Sequence, residues 1–200
     1  MPTRKNPVTL EGNRVHLRPP RRTDQRVFIA CAKQSRALHR GWVQAPETPT
    51  AFASYVARYH STDPAPRNVG FLVIRNEDGA IVGVINFSEI IRGAFHSGYV
   101  GYYAFAPYAG DGYMAEGFAL ALDYAFREMK LHRIEANVQP ANIRSLALVE
   151  RLSFTREGYS RRYVKIAGRW RDHVRFAMLA EDWKRHRIGL RARLAATRNA

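Results

Sequence analysis

The chain has 200 residues, 46% of them hydrophobic, which suffices for one medium domain with a sizeable core and excludes a disordered tail protein. Its 32 Lys and Arg against 17 Asp and Glu give a formal charge of +15, which predicts attraction to something polyanionic without naming it. A single cysteine, Cys31, excludes an intramolecular disulfide; with no signal-peptide core and no apolar run of bilayer length, a soluble cytoplasmic protein is expected.

In chain order, Arg14 to Arg18 alternate like a strand, and Thr23 and Asp24 offer an N-cap to a helix reaching about Gln34. His39 to Trp42 read as a loop or helix end, and Thr50 to His60 as a helix with Phe52, Val56 and Tyr59 on one side. Residues 61–68 form a loop by composition. Val69 to Arg75 and Ala80 to Phe87, separated by Asn76, Glu77, Asp78 and Gly79, predict a hairpin. A third β-rich run, Gly98 to Phe105, precedes a helical stripe of Met114, Phe118, Leu122, Ala125, Phe126 and Met129 between Gly112 and Lys130. A strand from His132 to Val138, a helix from Ala141 to Leu152, and strands at Tyr159 to Ile166 and His173 to Leu179 complete the pattern. This order predicts one mixed α/β domain whose sheet combines antiparallel hairpins with a parallel crossover.

The positive charge is concentrated in residues 1–26, 156–175 and 184–200, and the rest of the chain is close to neutral. In the last stretch Leu190 and Leu194 stand at helical spacing beside Arg187, Arg191 and Arg198, with Gly189 weakening the helix. That segment is either a short basic helix that docks on RNA or an acidic partner, or a solvated tail.

The segment from Tyr99 to Phe118 reads as a strand, a glycine turn and a helix start. Glycines let a backbone approach a ligand, and free N–H groups at a helix N-terminus attract phosphate. By spacing alone Gly110 and Gly112 match neither a dinucleotide fingerprint nor a Walker loop, so the turn is either a phosphate site or an ordinary helix start. The stretch from His132 to Phe154 resembles the second signature of the GCN5-related N-acetyltransferases (GNAT), and Ala109 to Met114 resemble their pyrophosphate loop. Gly83 to His96, Glu157 to Tyr159 and Gly168 to Val174 are similar to the RimJ/RimL branch, the RimJ side in particular. The likeness covers roughly residues 14–183 and implies a GNAT domain over 1–183 followed by a basic tail at 184–200. The implied fold is a mixed, largely antiparallel sheet splayed at an acetyl-CoA cleft, with helices on both faces.

The resemblance implies acetyl-CoA as donor and the N-terminal α-amine of a protein or peptide, of ribosomal-protein-alanine type, as acceptor. It assigns the pantetheine arm to backbone groups of Tyr103, Ala104 and Phe105, and the pyrophosphate to the N–H groups of Gly110, Gly112, Tyr113, Met114 and Ala115. Asn142 is either a ligand of that arm or a helix N-cap, and Ser145 either reaches the thiol end or is a first-turn residue. Ala109 and Met114 depart from the loop consensus, Asp111 adds a negative charge, and Ser153 replaces a glycine before Phe154.

An α-amine has a pKa of about 7.7 to 8.0 against about 10.4 for lysine, so only modest base help is required. Direct transfer is expected, since Cys31 lies far from the motifs. Glu135 is a candidate base or a structural ion-pair member, Asn137 a residue that orients water, and Glu89 a second candidate carboxylate. Glu116 is read as a structural first-turn carboxylate. Tyr163 is the candidate acid or a core tyrosine, with Tyr159 as backup. Trp170 and Arg171 either line the peptide channel or, for Trp170, close the core. No metal is expected, because the seven histidines lack ligand spacing. Other readings are a small-molecule amine as acceptor, and a non-catalytic protein that contacts RNA or the ribosome through its basic segments.

Overall fold

Strand pairing and two apolar layers account for the architecture of the computed structural model, which describes residues 9–59, 63 and 65–196, with side chains to 189. In chain order the strands are β1 (Leu10–Glu11), β2 (Val15–Arg18), β3 (Val69–Arg75), β4 (Ile81–Ile91), β5 (Ser97–Ala104), β6 (Arg133–Val138), β7 (Thr155–Ile166) and β8 (Arg169–Leu179). The helices are α1 (Gln25–Gln34), α2 (Arg36–His39), α3 (Pro49–Tyr59), α4 (Tyr113–Arg127), α5 (Ile143–Arg151) and α6 (Ala180–Ala196). The strands form one sheet in the order β1-β2-β3-β4-β5-β6-β8-β7, antiparallel except for β5 beside β6. α4 provides the crossover between that parallel pair, as the switch in sequence period predicts.

Because successive strand residues point to opposite faces, each central strand feeds two cores. Phe71, Val73, Ile85 and Phe87 pack with Phe118 and Leu122 of α4, Val149 of α5 and Trp183 of α6. Leu72, Ile74 and Val84 pack with Phe28 of α1 and Phe52 and Val56 of α3. The second core draws its strand residues from β3, β4 and the end of β5. On that face β6, β8 and β7 therefore contribute nothing to it among the described residues.

Several local expectations are revised. Asp24 occupies the position before α1 but does not cap it with its side chain. Its carboxylate instead accepts from Arg18 Nη1 and Nη2 at 2.8 and 2.7 Å and from the Arg21 N–H at 2.7 Å, a charge-assisted fork that outcompetes a neutral cap. β7 starts earlier than predicted, at Thr155, with residues that are largely exposed, and β8 is longer than predicted because its outer part, residues 169–172, belongs to an exposed hairpin that needs no apolar alternation. Trp170, at its tip, is 59% exposed and does not close the core. α6 runs unbroken across the division expected at 183/184 and is anchored by buried Trp183, whose Nε1 donates to Asp123 Oδ1 at 2.7 Å. His60 and residues 197–200 lie outside the described residues. Among the described residues no helix is long and apolar enough to cross a membrane.

The end of α5 explains the serine departure noted above. Ser153 N–H donates to the Glu150 carbonyl at 2.9 Å and Phe154 N–H to the Val149 carbonyl at 3.0 Å, the paired bonds of a Schellman cap. The cap requires a left-handed residue, and Ser153 takes it at φ +65°. A Cβ there costs roughly 1 kcal/mol, which glycine avoids. Ser153→Gly is therefore expected to raise unfolding stability by about 0.5–1 kcal/mol in urea denaturation, with an unchanged m-value.

Candidate active site

The parallel pairing of β5 and β6 lasts for three residue pairs, Ser97 with Arg133, Gly98 with Ile134 and Tyr99 with Glu135. Beyond Tyr99 the strands part: β5 stays with β4 to Ala104, and β6 stays with β8 to Val138. A gap opens toward the C-terminal ends of both strands, where the glycine turn leads into α4. Phe105 N–H donates to the Val82 carbonyl at 2.9 Å, which fixes the pleat. Tyr103 and Phe105 spend their backbone groups on β4, while Tyr102 and Ala104 turn theirs toward the gap. The Ala104 carbonyl accepts from His39 Nε2 at 2.8 Å, so His39 carries its proton on that nitrogen. Tyr103 stands edge-on to His39 at 5.1 Å, with its hydroxyl buried and without a hydrogen-bond partner among the described residues.

Gly110 and Gly112 both have positive φ, +110° and +81°. Tyr113 and Met114 open α4, where N–H groups have no carbonyl one turn back. Ala115 N–H is already engaged by the Gly112 carbonyl at 3.1 Å. Arg14, which the sequence reading did not single out, reaches this turn from the start of β2. Its Nη1 donates to the Asp111 carbonyl at 3.1 Å, and its guanidinium lies 4.9 Å from the centre of the Tyr113 ring. Glu116 holds it there, accepting from the Arg14 backbone N–H at 2.8 Å and from Nε at 3.3 Å. A cation thus stands beside the turn although Ala109 brings none.

On the far side of the gap, Asn142 Oδ1 accepts from the Ser145 N–H at 3.2 Å and caps α5. Ser145 Oγ lies 2.5 Å from Tyr102 Oη, and Tyr102 also donates to the Ser145 carbonyl at 3.2 Å. Burial pushes the Tyr102 hydroxyl up, so it stays protonated and ties β5 to α5.

The candidate catalytic residues separate into groups. Glu135 and Asn137 lie on the β6 face opposite Ile134, Ala136 and Val138, which are in the core. The Glu135 carboxylate accepts from Arg133 Nε at 2.9 Å, and Arg133 also pairs with Glu157. Asn137 Oδ1 is buried and accepts no hydrogen bond among the described residues. Glu89 is exposed in a bulge of β4 at φ +48°, with its carboxylate on Arg67 at 3.2 Å. Tyr163 joins the Glu135 and Asn137 face through a second bulge: between the pairs Ser160–His173 and Val164–Arg171, β7 holds two more residues than β8. That irregularity re-aims Tyr163 toward His173, with ring centres 6.1 Å apart, and its hydroxyl meets that of Tyr99. The hydrogen bond to Tyr163, followed by burial, pushes Tyr99 up to about 12. Asp172 holds the bulge, accepting the Arg162 N–H at 2.7 Å and the Tyr159 hydroxyl at 2.5 Å. Those two bonds keep its carboxyl below the usual range. Burial lowers the pKa of His173, which favours its neutral form.

A cavity of about 320 Å³ lies against α2 and the following segment, lined by Arg36, His39, Arg40 and Glu47 among others. It shares His39 with the wall of the gap. Gln139, just past β6, donates to the Gly41 carbonyl at 2.8 Å, so this segment is tied to both sides of the splay. Tyr99, Tyr102, His39 and Asp172 were not assigned from sequence. The period of two along β5 was signal enough for Tyr102, whereas the other three depend on long-range pairing.

This geometry agrees with the comparisons. The Acetyltransferase (GNAT) domain family matches residues 14–155. The chain is 32% identical over 177 residues to a protein named probable N-acetyltransferase YjcK from Bacillus subtilis, covering 86% of this chain and 98% of that one. It is 44% identical over 107 residues to the ribosomal protein uS5-alanine N-acetyltransferase of Escherichia coli, covering 54% of this chain and 55% of that one. RimJ of Mycobacterium smegmatis, solved in complex with CoA-disulfide, superposes with a TM-score of 0.79 at 28% identity, covering 88% of this chain and 90% of that one. Matched over most of its length to a family defined by acetyl transfer, the chain belongs to the GNAT acetyltransferases and is an N-acetyltransferase.

Proposed function

We propose that this enzyme acetylates the α-amine at the N-terminus of a protein, of the kind that begins with alanine or serine, with acetyl-CoA as donor. The observation that carries the reading is the splayed β5–β6 pair, with a left-handed glycine turn at one end and the Tyr99–Tyr163 pair on the wall beyond it. The acceptor class is supported by the RimJ-type relatives. It is also supported by the half of the sheet, β6, β8 and β7, that bears no helix of the second core on this face and leaves room for a chain. Exposed Arg161, Arg162, Lys165 and Arg169 around the hairpin tip fit docking to ribosomal RNA, through contacts that weaken steeply with salt.

The residues present fit acetyl-CoA. The open N–H groups of Tyr113 and Met114 and the cation of Arg14 suit a pyrophosphate, and the backbone of Tyr102 and Ala104 at the gap edge suits a pantetheine arm. The donor supplies a thioester whose acetyl carbon accepts an amine. Tyr99, kept protonated, donates to the Tyr163 oxygen and leaves the Tyr163 proton free to serve a departing thiolate. Asn137 Oδ1, buried and without a donor, suits an incoming ammonium or the water that deprotonates it. Glu135 is committed to Arg133 and acts as a structural partner in this reading. Cys31 is half-buried on α1, its thiol pushed up by burial, which matches direct transfer without an acyl-enzyme.

In a CoA-release assay, Ala- and Ser-initiated peptides should turn over and small amines such as polyamines should not; the reverse preference would sink the acceptor assignment. Tyr163→Phe is expected to lower kcat about 10²-fold while leaving the acetyl-CoA Kd within a factor of two. Because Tyr99 titrates near 12, the wild-type rate should follow the acceptor amine, rising tenfold per unit below about pH 7.5 and levelling above about pH 8. Gly112→Ala strains a residue at φ +81° and brings a Cβ within 3.1 Å of Arg14 Nη2. Calorimetry should show acetyl-CoA affinity falling about tenfold or more, with a loss of stability of about 1 kcal/mol.

A further inference from the structure

Basic residues occur all along the last hairpin, and those of β8, Arg169, Arg171, His173 and Arg175, stand at alternate positions and so on one face. Val174, Phe176 and Met178 lie in the core beneath α4, α5 and α6. Arg171, His173 and Arg175 therefore share the opposite face, the one that carries Tyr99, Glu135, Asn137 and Tyr163. Arg175 stands directly across from Asn137. Residues 169–173 of β8 continue past the end of β6 and pair with β7 alone, so Arg171 flanks the open end of the splay.

These two arginines differ from their neighbour on the same face. Arg133 is matched by two carboxylates, Glu135 and Glu157. Among the described residues no ion pair engages Arg171 or Arg175, although Glu157, held by Arg133, feels the charge of Arg175, and the Nε of each arginine is buried without a hydrogen-bond partner there. A buried, unsatisfied guanidinium N–H is unfavourable, and an anion bound from outside the chain would complete it. Gly158, opposite Arg175, leaves room for its guanidinium: a Cβ there would lie 3.2 Å from Arg175 Nη2. His173 between them favours its neutral form, so the charge on this face is that of the two guanidiniums. The two Cα positions are four strand residues apart, or about 13 Å, the span of a short extended peptide laid along β8.

We propose that Arg171 and Arg175 form an anion-binding floor that selects acceptor chains carrying a carboxylate side chain within the first few residues after the reacting amine. The planar fork of arginine suits a carboxylate, and Asn137 opposite Arg175 places that fork next to the position of the amine. The proposal rests on the α-amine acceptor reading above and names the substrate class of the same site. It also assigns part of the positive charge: these inward arginines meet the acceptor, while Arg161, Arg162, Lys165 and Arg169 stay exposed.

The test uses the full chain with acetyl-CoA and Ala-initiated hexapeptides that carry Glu, Gln or Lys in turn at positions two to five. Wild-type kcat/KM is expected to favour the best Glu peptide over its Gln counterpart by about tenfold or more, mainly through KM, with Lys lowest. In Arg171→Gln and Arg175→Gln the Glu-to-Gln ratio should collapse toward one, and Arg175→Lys should restore it in part. The ratio is internal to each preparation, so partial misfolding does not imitate the effect. Equal turnover of Glu, Gln and Lys peptides by the wild type, or an undiminished ratio in the double variant, overturns the floor and leaves the α-amine reading intact. Tight acetyl-CoA binding without turnover of any peptide overturns both.

Discussion

The parting of β5 from β6 after Tyr99 and Glu135 is the constraint around which the rest of the molecule is arranged. A sheet that opens in its middle exposes backbone groups that must be satisfied by something other than a neighbouring strand. Here His39 holds the Ala104 carbonyl, and the Tyr102–Ser145 pair ties β5 to the first turn of α5. The segment after α2 closes the third side, because Gln139 donates to its Gly41 carbonyl. The gap is thereby fixed in width by the side chains of His39, Tyr102, Ser145 and Gln139.

What reaches that gap is decided by two departures from regular strand geometry. Regular alternation along β7 would put Tyr163 on the opposite face from Ser160. Two extra residues turn it back toward Tyr99, and Asp172 secures the irregularity through the Arg162 N–H and the Tyr159 hydroxyl. Position along β8 then separates half-buried Arg171 and Arg175 from exposed Arg169 at the hairpin tip. The charge of +15 thus resolves into different places: Arg14 beside the glycine turn, Arg133 neutralised by Glu135 and Glu157, and Arg171 and Arg175 in the proposed floor, with no ion pair among the described residues.

Much of the fold was legible in the residues. The hairpin of β3 and β4, the apolar stripe of α4 and the alternation of β6 are local patterns of period two or 3.6, and each element formed within a few residues of its expected place. The outer part of β8 and the first four residues of β7 escaped because both are largely exposed and no buried face imposes a pattern. Asp24 misled because its sequence position suits a helix cap, while its energetics belong to Arg18 six residues earlier. In the site, the glycine turn and Asn142 were recognisable as local motifs. His39, Tyr99 and Asp172 were not, since their partners lie 65 residues away, on another strand, or across a bulge.

By itself the sequence determined the elements, the single mixed α/β domain, the turn that opens α4 and the resemblance to acetyl-transferring proteins. All of these are encoded in short windows where propensity, spacing and glycine freedom act locally. Only the tertiary structure decided which backbone groups of β5 face the gap, which tyrosine Tyr163 meets, and which arginines form no ion pair among the described residues. Those outcomes depend on strand register, on a bulge and on long-range pairing, and a one-residue shift in any of them would send the same side chains to the other face of the sheet.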